Sequence, residues 1–516
     1  TAGETFPRLR NMSELETVVI NEGVRTMAYG TFQWDPSYSS RESHLTSVTL
    51  PESLTEIPEG AFCHCRALTS VKIGKNVTSI GAAAFGDTAE NLVIELSPEN
   101  TSFTYKDGCL IEKASGTLLL LKGNYILPTD GSLKVITNGV FSGFDLTEIL
   151  IPASVTTIEA YAFAGCGNLK KFLVADGSLL TVCPRDAFEN DPEIAKVPLA
   201  VVSSFTRVKE LTVIGSGAFD TDFSGARVER LILGDGITSV GKSVLANNKT
   251  IQYVKLGSGI TSIGKEAFYN SSLTEIDLSE GLLTIGESAF KQCYSLREIT
   301  IPSSVTSIDE NAFFINQNYG TPALSRVNIS DVEKWASISF ANDYANPLFV
   351  GHRLYKDGRE VTTIAFTTLT KIADYAFDGC RSLTSVSFEP TVQEIGKYAF
   401  TGCINLRAAD FMRKEGETKP LVIDEAAFWY CRALPGITRA VNLTKVGAKA
   451  FAYCYSMVEF TIPASVTEFS SDAFYNNSNM KEVTNLSSAV NGSVFGDKLL
   501  AEGAESKIVR KNHTIF

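Results

Sequence analysis

Residues 295–313 read SLREITIPSSVTSIDENAF, and similar stretches begin at Ser272 (SLTEIDLSEGLLTIGESAFKQC) and Ser382 (SLTSVSFEPTVQEIGKYAFTGC). They share the pattern L-x-x-I-x-I-P-x-x-V-x-x-I-g-x-x-A-F-x-x-C. Self-similarity of this kind is the signature of a repeat architecture. The phenylalanine of A-F marks each repeat, and we call it the anchor phenylalanine. The anchors are Phe32, Phe62, Phe85, Phe141, Phe163, Phe188, Phe219, Phe268, Phe290, Phe313, Phe377, Phe400, Phe428, Phe451 and Phe474, with degenerate versions at Leu245 and Phe495.

The spacing of the anchors predicts the architecture. Regular repeats are 22 or 23 residues long, as between Phe268, Phe290 and Phe313, and others stretch to 25–31 residues. The alternating apolar positions of L-x-x-I-x-I predict a short strand with one buried face, V-x-x-I predicts a second extended piece, and A-F-x-x-C predicts a tight turn. Stacked units would bury one continuous core. We therefore expect a single solenoid over residues 1–490, followed by a C-terminal cap or tail over 491–516.

One interval is too long for a single repeat, because 56 residues separate Phe85 from Phe141. The insertion lies near residues 97–131. Asp-Gly at 107–108 and Ser-Gly at 115–116 are turn signals between β-rich runs, and they predict one or two hairpins.

A second interval of 64 residues lies between Phe313 and Phe377. Its insertion, near residues 331–366, predicts a short helix with Asp331 as N-cap and a hairpin turn at Asp-Gly 357–358. Each insertion either recognises a partner or continues the sheets of the solenoid.

Composition excludes several classes of protein. The 516 residues contain 46 Lys and Arg against 58 Asp and Glu, a net charge of −12, which argues against a nucleic-acid binder. A hydrophobic content of 44% argues against disorder. Apolar runs such as residues 118–121 fall far short of the ~20 residues of a membrane span. Only four histidines are available for catalysis or metal binding.

Residues 236–243 match the phosphate-binding pattern G-x-x-x-x-G-K-[ST]. The same slot of the repeat reads GITSIGKEAF at 259–268 and TVQEIGKYAF at 391–400. Gly241 and Lys242 are therefore ordinary repeat positions, and we predict no nucleotide cofactor.

The cysteines follow the repeat rather than a disulfide or metal pattern. The run Cys63-His64-Cys65 could suggest a metal site, but a third and fourth ligand are not evident, so we predict no metal. We expect buried free thiols that act as small hydrophobic side chains, with disulfides between neighbouring repeats as the alternative. Seven of the ten cysteines stand three residues after an anchor, namely Cys65, Cys166, Cys293, Cys380, Cys403, Cys431 and Cys454.

No catalytic residues are predicted. Neither G-x-S-x-G nor H-E-x-x-H occurs. Scattered acidic residues leave a glycosidase-like carboxylate pair as a remote alternative.

The residue between the last two apolar positions of L-x-x-I-x-I should point away from the core, onto the inner face of the solenoid. Most of these residues are small or polar, but Leu150, Leu173 and Ile232 form an apolar exception and are our candidate protein-binding residues. A loop near residues 189–207 that covers them is an equal alternative. The positions are Val19, Thr49, Lys72, Leu150, Leu173, Ile232, Lys255, Asp277, Thr300, Asn328, Ser387, Asp410, Thr438 and Thr461.

The string I-P-x-x-V-T-x-I-x-x-x-A-F-x-x-C at 151–166 resembles the BspA-like leucine-rich-repeat proteins, and the resemblance runs from about Leu9 to Phe495. The D-G-x-L hairpin at 107–110 and the W-x-x-I-x-F…N-P-L…L-Y…G-x-x-V stretch at 335–361 are also similar to that family. The resemblance implies an α/β, β-rich, right-handed leucine-rich-repeat solenoid with short strands, few helices and two hairpin-type insertions. It also implies surface or secreted proteins of host-associated bacteria that act in adhesion, without shared catalytic residues.

We therefore expect a monomeric, non-enzymatic cell-surface or secreted protein that binds host or partner proteins. It would be exported by a leader that is not part of this chain, and it would need no cofactor, metal or nucleic acid. The alternatives are an envelope-associated scaffold without an external ligand and, remotely, a carbohydrate-active enzyme.

Overall fold

The computed structural model describes residues 5–35, 43–123, 126–142 and 144–490, together with the backbone of 509–511. The chain divides into two compact units, Thr1–Gly215 and Ser216–Phe516. The solenoid boundary at residue 490 stays a prediction. Most of the expected C-terminal cap at 491–516, including Phe495, lies outside the described residues.

Each regular repeat contributes two short strands, as predicted. Strands from L-x-x-I-x-I pair in parallel from repeat to repeat and form what we call the first ladder; strands from V-x-x-I form the second ladder in the same way. In the strand Glu148–Ile151, buried Ile149 and Ile151 alternate with exposed Glu148 and Leu150. The period-two pattern of the sequence therefore sets which side chains enter the core.

In the first unit, β2, β4, β6 and β8 and then β13, β15, β16 and β17 belong to the first ladder, and β1, β3, β5, β7, β11, β12 and β14 to the second. The strands are β1 (Thr5–Phe6), β2 (Thr17–Val19), β3 (Thr26–Met27), β4 (Ser47–Thr49), β5 (Glu56–Ile57), β6 (Ser70–Ile73), β7 (Ser79–Ile80), β8 (Val93–Leu96), β9 (Phe103–Lys106), β10 (Cys109–Glu112), β11 (Thr117–Leu121), β12 (Val135–Ile136), β13 (Glu148–Ile151), β14 (Thr157–Ile158), β15 (Lys171–Val174), β16 (Ile194–Pro198) and β17 (Glu210–Ile214).

In the second unit, the even-numbered β18 to β28 and then β32, β34, β36, β37 and β39 form the second ladder, and the other strands lie in the sheets of the first. The strands are β18 (Gly217–Phe219), β19 (Arg230–Leu233), β20 (Ile237–Val240), β21 (Tyr253–Lys255), β22 (Ser262–Ile263), β23 (Glu275–Asp277), β24 (Thr284–Ile285), β25 (Glu298–Ile301), β26 (Ser307–Ile308), β27 (Arg326–Ile329), β28 (Ser339–Phe340), β29 (Leu354–Lys356), β30 (Arg359–Glu360), β31 (Thr363–Phe366), β32 (Lys371–Ile372), β33 (Ser385–Phe388), β34 (Glu394–Ile395), β35 (Ala408–Asp410), β36 (Leu421–Ile423), β37 (Leu443–Val446), β38 (Glu459–Ile462), β39 (Glu468–Phe469), β40 (Glu482–Asn485) and β41 (Val509–Lys511).

Helices are few and short in the described part of the chain. The longer α-helix has five residues, whereas a bilayer crossing takes about 20. The α-helices are α1 (Val332–Ala336) and α2 (Leu348–Gly351), and 3₁₀ turns lie at Arg185–Ala187, Leu199–Ser204, Gln317–Tyr319 and Asp343–Ala345.

The insertion near 97–131 forms the predicted hairpins and continues the second ladder. β9 and β10 are antiparallel, with Lys106 beside Cys109, so residues 107–108 form a two-residue turn. Both turn residues have positive φ, at 50° and 82°, which suits Asp-Gly. β11 then runs antiparallel to β10 and parallel to β12, which joins the insertion to the regular repeats.

The insertion near 331–366 also forms as predicted. An Asp331 side-chain oxygen accepts hydrogen bonds from the backbone N–H groups of Glu333 (2.8 Å) and Lys334 (3.0 Å), which makes Asp331 the N-cap of α1. β29 and β30 form the hairpin around residues 357–358. β28 pairs with β26 and β29 with β27, so this insertion extends both ladders.

The core is built from anchor phenylalanines that stack between repeats. The ring centroids of Phe268 and Phe290 are 5.2 Å apart and those of Phe290 and Phe313 are 5.3 Å apart, with ring planes within 10° of parallel. Stacks of the same kind join Phe428 to Phe451 at 5.5 Å. Such distances fall in the favourable range for aromatic pairs, so each anchor covers the ring of its neighbour.

Glycine in I-G-x-x-A-F is required where neighbouring turns approach closely. A Cβ on Gly264 would lie 2.8 Å from the carbonyl carbon of Gly241, and one on Gly286 would lie 2.9 Å from that of Gly264. No side chain fits at this separation without a shift of backbone. A Cβ on Gly241 would likewise lie 2.8 Å from the Cα of Asp220, so Gly241 is a packing residue of the repeat.

We expect Phe290→Ala to lower the free energy of unfolding by about 3–5 kcal/mol, because it removes a ring stacked on both sides. Phe290 is 1% exposed. The control is Tyr319→Ala, since Tyr319 is 77% exposed and its loss should change stability by about 0.5 kcal/mol or less. Urea denaturation measures both variants. A change below about 1 kcal/mol for Phe290→Ala would show that the anchor does not support the core.

Candidate functional surfaces

The structure places Leu150 and Leu173 side by side on the outward face of the first ladder. They are Cα partners on β13 and β15. Leu150 is 58% exposed and Leu173 is half-buried. Residues 194–198 form the next strand, β16, which places Lys196 beside Leu173. The segment near 189–207 is thus a further rung of the ladder and leaves Leu150 exposed.

Polar groups border the two leucines. Lys171 Nζ lies 3.2 Å from Glu148 Oε2 on the strand alongside, and Lys196 Nζ lies 2.7 Å from Asp176 Oδ1. An apolar centre within a rim of ion pairs is a common arrangement of protein-binding surfaces.

Ile232 belongs to the second unit, and its surroundings differ. It is half-buried on β19, and its Cα partner is Lys255. Beside it, the Arg230 guanidinium lies over the Tyr253 ring, 4.2 Å from the centroid. The Tyr253 hydroxyl donates to Asp277 at 2.5 Å, and partial burial and this bond raise the pKa of Tyr253 to about 12. Ile232 therefore sits among polar and aromatic groups of its own unit.

A groove interrupts the first ladder in the second unit. The sequence pattern predicts a regular strand around Thr438, but the structure has only a single bridge, between Asp410 and Thr438. Residues 434–439 read LPGITR, where the regular repeat at 296–301 reads LREITI. Arg439 stands where regular repeats have the last buried apolar residue of the strand. The C-terminal end of this segment therefore has no apolar side chain to bury in the core.

The side chain and backbone of Arg439 both leave the ladder. Its φ is 51°, in the left-handed region, and its Nε donates to Asp410 Oδ1 at 2.7 Å. The side-chain bond from Arg439 lowers the pKa of Asp410. The rung consequently separates from β38 and leaves a groove of about 850 Å³.

The cysteines form the predicted ladder of buried thiols. All ten cysteines lie in the described residues and are free, and only Cys63 among them is partly exposed. Cys403 Sγ donates to the carbonyl oxygen of Phe377 at 3.2 Å, and Cys431 Sγ to that of Phe400 at 3.1 Å. Cys65, Cys166, Cys293 and Cys454 make the same bond to the anchor one repeat earlier.

A small donor therefore recurs in the slot three residues after the anchor, although Phe144 fills it after Phe141. Where a repeat has Asn248 instead, its Nδ2 donates to the carbonyl oxygens of Phe223 and Ala226 at 2.7 and 2.9 Å. The assignment of Phe219 as an anchor was wrong, because Phe219 lies on β18 of the second ladder opposite Val240 and Phe223 holds the anchor position. Burial raises the pKa of Cys166, Cys293 and Cys380 to about 11. These thiols stay protonated near neutral pH, and a protonated thiol is a poor nucleophile.

The motifs that suggested chemistry take structural roles. In the phosphate-loop match, residues 237–240 form β20 and the backbone N–H of Ser243 donates to Lys265 O of the next repeat. His64 Nδ1 lies 2.9 Å from Asp87 Oδ2. Across the described residues, no group of three or more His, Cys, Asp or Glu could hold a metal ion.

The chain matches the family described as BspA type Leucine rich repeat region, with six copies over residues 36–106, 124–222, 212–345 and 350–488. These stretches make up most of the sequence. The protein belongs to the BspA-type leucine-rich-repeat family.

Several solved structures are similar to this chain. A leucine rich cell surface protein from Faecalibacterium prausnitzii A2-165 is 20% identical over 77% of this chain and 97% of its own, with a TM-score of 0.33. A leucine-rich repeat protein from Bacteroides ovatus ATCC 8483 is 17% identical over 96% of this chain and 92% of its own, with a TM-score of 0.34. The Leucine Rich Repeat protein of T. pallidum is 32% identical over 25% of this chain and 54% of its own, with a TM-score of 0.20. No curated protein matches the chain.

We expect thiol titration of the folded protein to give a low count, because nearly all the thiols are buried and protonated. After denaturation without reductant the count should approach ten per chain. The half-buried Cys63 should react first. A low count under both conditions would mean that disulfides join the repeats.

Proposed function

We propose that the protein is a non-enzymatic cell-surface or secreted binding protein that holds a partner protein against the outward face of β13 and β15. The observation that carries the proposal is Leu150, which is 58% exposed beside Leu173, so that two large apolar side chains adjoin at a ladder position where most residues are small or polar. Binding energy concentrates in a few side chains that lose their water on association, and this pair offers such an anchor.

The shape of the face favours a protein over a small metabolite. Each repeat adds a similar strip about one strand spacing, ~4.8 Å, from the last. A metabolite usually needs a pocket closed on several sides, whereas a surface of repeated strips suits an extended partner. The net charge of −12 disfavours acidic partners.

The resemblance to BspA-like proteins supports export and adhesion to host or partner proteins. The partner would be an extracellular or cell-surface protein.

The test compares Leu173→Asp with Thr300→Asp in binding to a panel of immobilised extracellular-matrix proteins. Thr300 is exposed at the same ladder position of β25, so its variant adds the same charge elsewhere. We expect Leu173→Asp to weaken binding by about tenfold or more and Thr300→Asp to leave it unchanged. Melting temperatures of both variants should stay near that of the wild type.

A second variant, Leu150→Asp, keeps the test decisive if Leu173→Asp loses stability, because Leu150 is the more exposed of the two. Unchanged affinity in both leucine variants would contradict the proposal and would favour a binding site in the insertion at 331–366. No binding to any matrix protein would favour the envelope-associated scaffold.

A further inference from the structure

The groove in the second unit exposes one edge of β38. In a parallel ladder, alternate residues of a strand bond to opposite neighbours. The N–H of Glu482 donates to Val458 O at 3.2 Å and that of Leu486 donates to Ile462 O at 3.0 Å. Val458, Phe460 and Ile462 therefore bond towards β40, and the backbone groups of Glu459 and Thr461 face the other way.

No strand of the described residues pairs with that second edge of β38. The rung that would occupy it is the interrupted one, where Thr438 keeps the regular bonds back to Ala409 and Phe411 but the residues on either side of it form no strand with β38. The edge thus offers two N–H donors and two carbonyl acceptors from Glu459 and Thr461. An open strand edge is a template for pairing with another extended chain.

The groove beside this edge has the size and lining of a binding cleft. Its volume of about 850 Å³ lies within the ~300–1,000 Å³ of ligand sites. Ile437 and Val441 supply apolar lining on the side of the interrupted rung, and Thr461 and Leu486 line it on the side of β38 and the strand beyond. Leu486 is 44% exposed, so apolar surface remains uncovered there.

The charge of the groove specifies the occupant further. Glu459 and Glu482 are Cα partners on adjacent strands and both line the groove, as does Glu417. Arg407 is the basic residue on the lining. Like charges directly abreast repel each other, and a cation placed between them relieves the repulsion. A second copy of this acidic edge would be repelled, whereas a basic chain would be attracted.

We propose that this groove is a strand-addition site for an extended peptide segment that carries Lys or Arg at alternate positions. The backbone of the peptide pairs with Glu459 and Thr461, and its basic side chains, on one face of the added strand, lie next to Glu459 and extend towards Glu482 one strand further on. Its other face lies against the apolar residues of the groove. This site is in the second unit and is independent of Leu150 and Leu173.

The probe is a fluorescently labelled, acetylated decapeptide of alternating Lys and Val, and binding is measured by anisotropy. We expect saturable binding that weakens as salt rises, because part of the attraction is ionic. Thr461→Pro removes one N–H from the open edge and leaves the Phe460 groups that face β40, so we expect binding to fall by about tenfold or more. Glu459→Gln with Glu482→Gln should weaken binding chiefly at low salt, and Glu148→Gln is the matched control in the first unit.

Two modified peptides test the backbone pairing without altering the protein. One is N-methylated at its Lys residues and the other at its Val residues, so that methyl groups block opposite edges of the added strand. We expect one peptide to lose binding and the other to keep it. These peptides decide the question even if Thr461→Pro fails to fold.

Equal binding by both methylated peptides would overturn the proposal in favour of a purely ionic contact, and the absence of saturable binding would overturn it outright. A dimer of the protein alone that Thr461→Pro dissociates would instead make a second copy the occupant. Leu173→Asp should not change the affinity for the peptide, which separates this site from the proposed protein-binding face.

Discussion

Each anchor phenylalanine depends on the next repeat to cover its ring. A repeat of 22 or 23 residues is too small to bury its own apolar face, so its core exists only between neighbours. The rings of Phe377, Phe400 and Phe428 follow one another at 5.2 and 5.3 Å, close to the spacing of parallel strands. The spacing of the paired strands therefore favours stacking of the rings, and stacking of the rings favours that strand spacing.

The residue choices around the anchors follow from that close approach. Glycine stands where one turn meets the backbone of the last, as at Gly264. Cysteine stands where its thiol gives the carbonyl oxygen of the preceding anchor a second donor in little volume, as Cys403 Sγ does beside the backbone N–H of Cys380 at Phe377. A lysine after such a glycine gives a chance match to a phosphate-binding loop. Patterns that suggest chemistry in isolation thus arise from packing when they recur in register.

Much of the fold was predictable because the same sequence pattern recurs in many repeats. The alternation in β13, the N-cap at Asp331 and the hairpin at 107–108 each rest on local rules that the structure follows. The adjacency of Leu150 and Leu173 was predictable for the same reason, since repeats in register bring equivalent positions together. Register also placed Ile232 correctly on β19 opposite Lys255, but it lies in the other unit and among different neighbours.

The interrupted rung was not predicted, because Ile437 and Thr438 fit the repeat pattern. The substitution of Arg439 for the last apolar residue was therefore overlooked. The signal was present in Arg439 at an apolar position, preceded by Pro435 and Gly436. The departure at Arg439 accompanies an edge of β38 that has no paired strand.

Cohesion in this fold passes from anchor to anchor between neighbouring repeats. Hydrogen exchange followed by mass spectrometry on Phe428→Ala tests it most directly. Phe428 stacks on Phe400 and Phe451 at 5.3 and 5.5 Å, so exchange should accelerate in peptides that cover residues 394–462 and change little around Phe268 and Phe290. Equal acceleration throughout the second unit, or none near Phe400 and Phe451, would contradict the account.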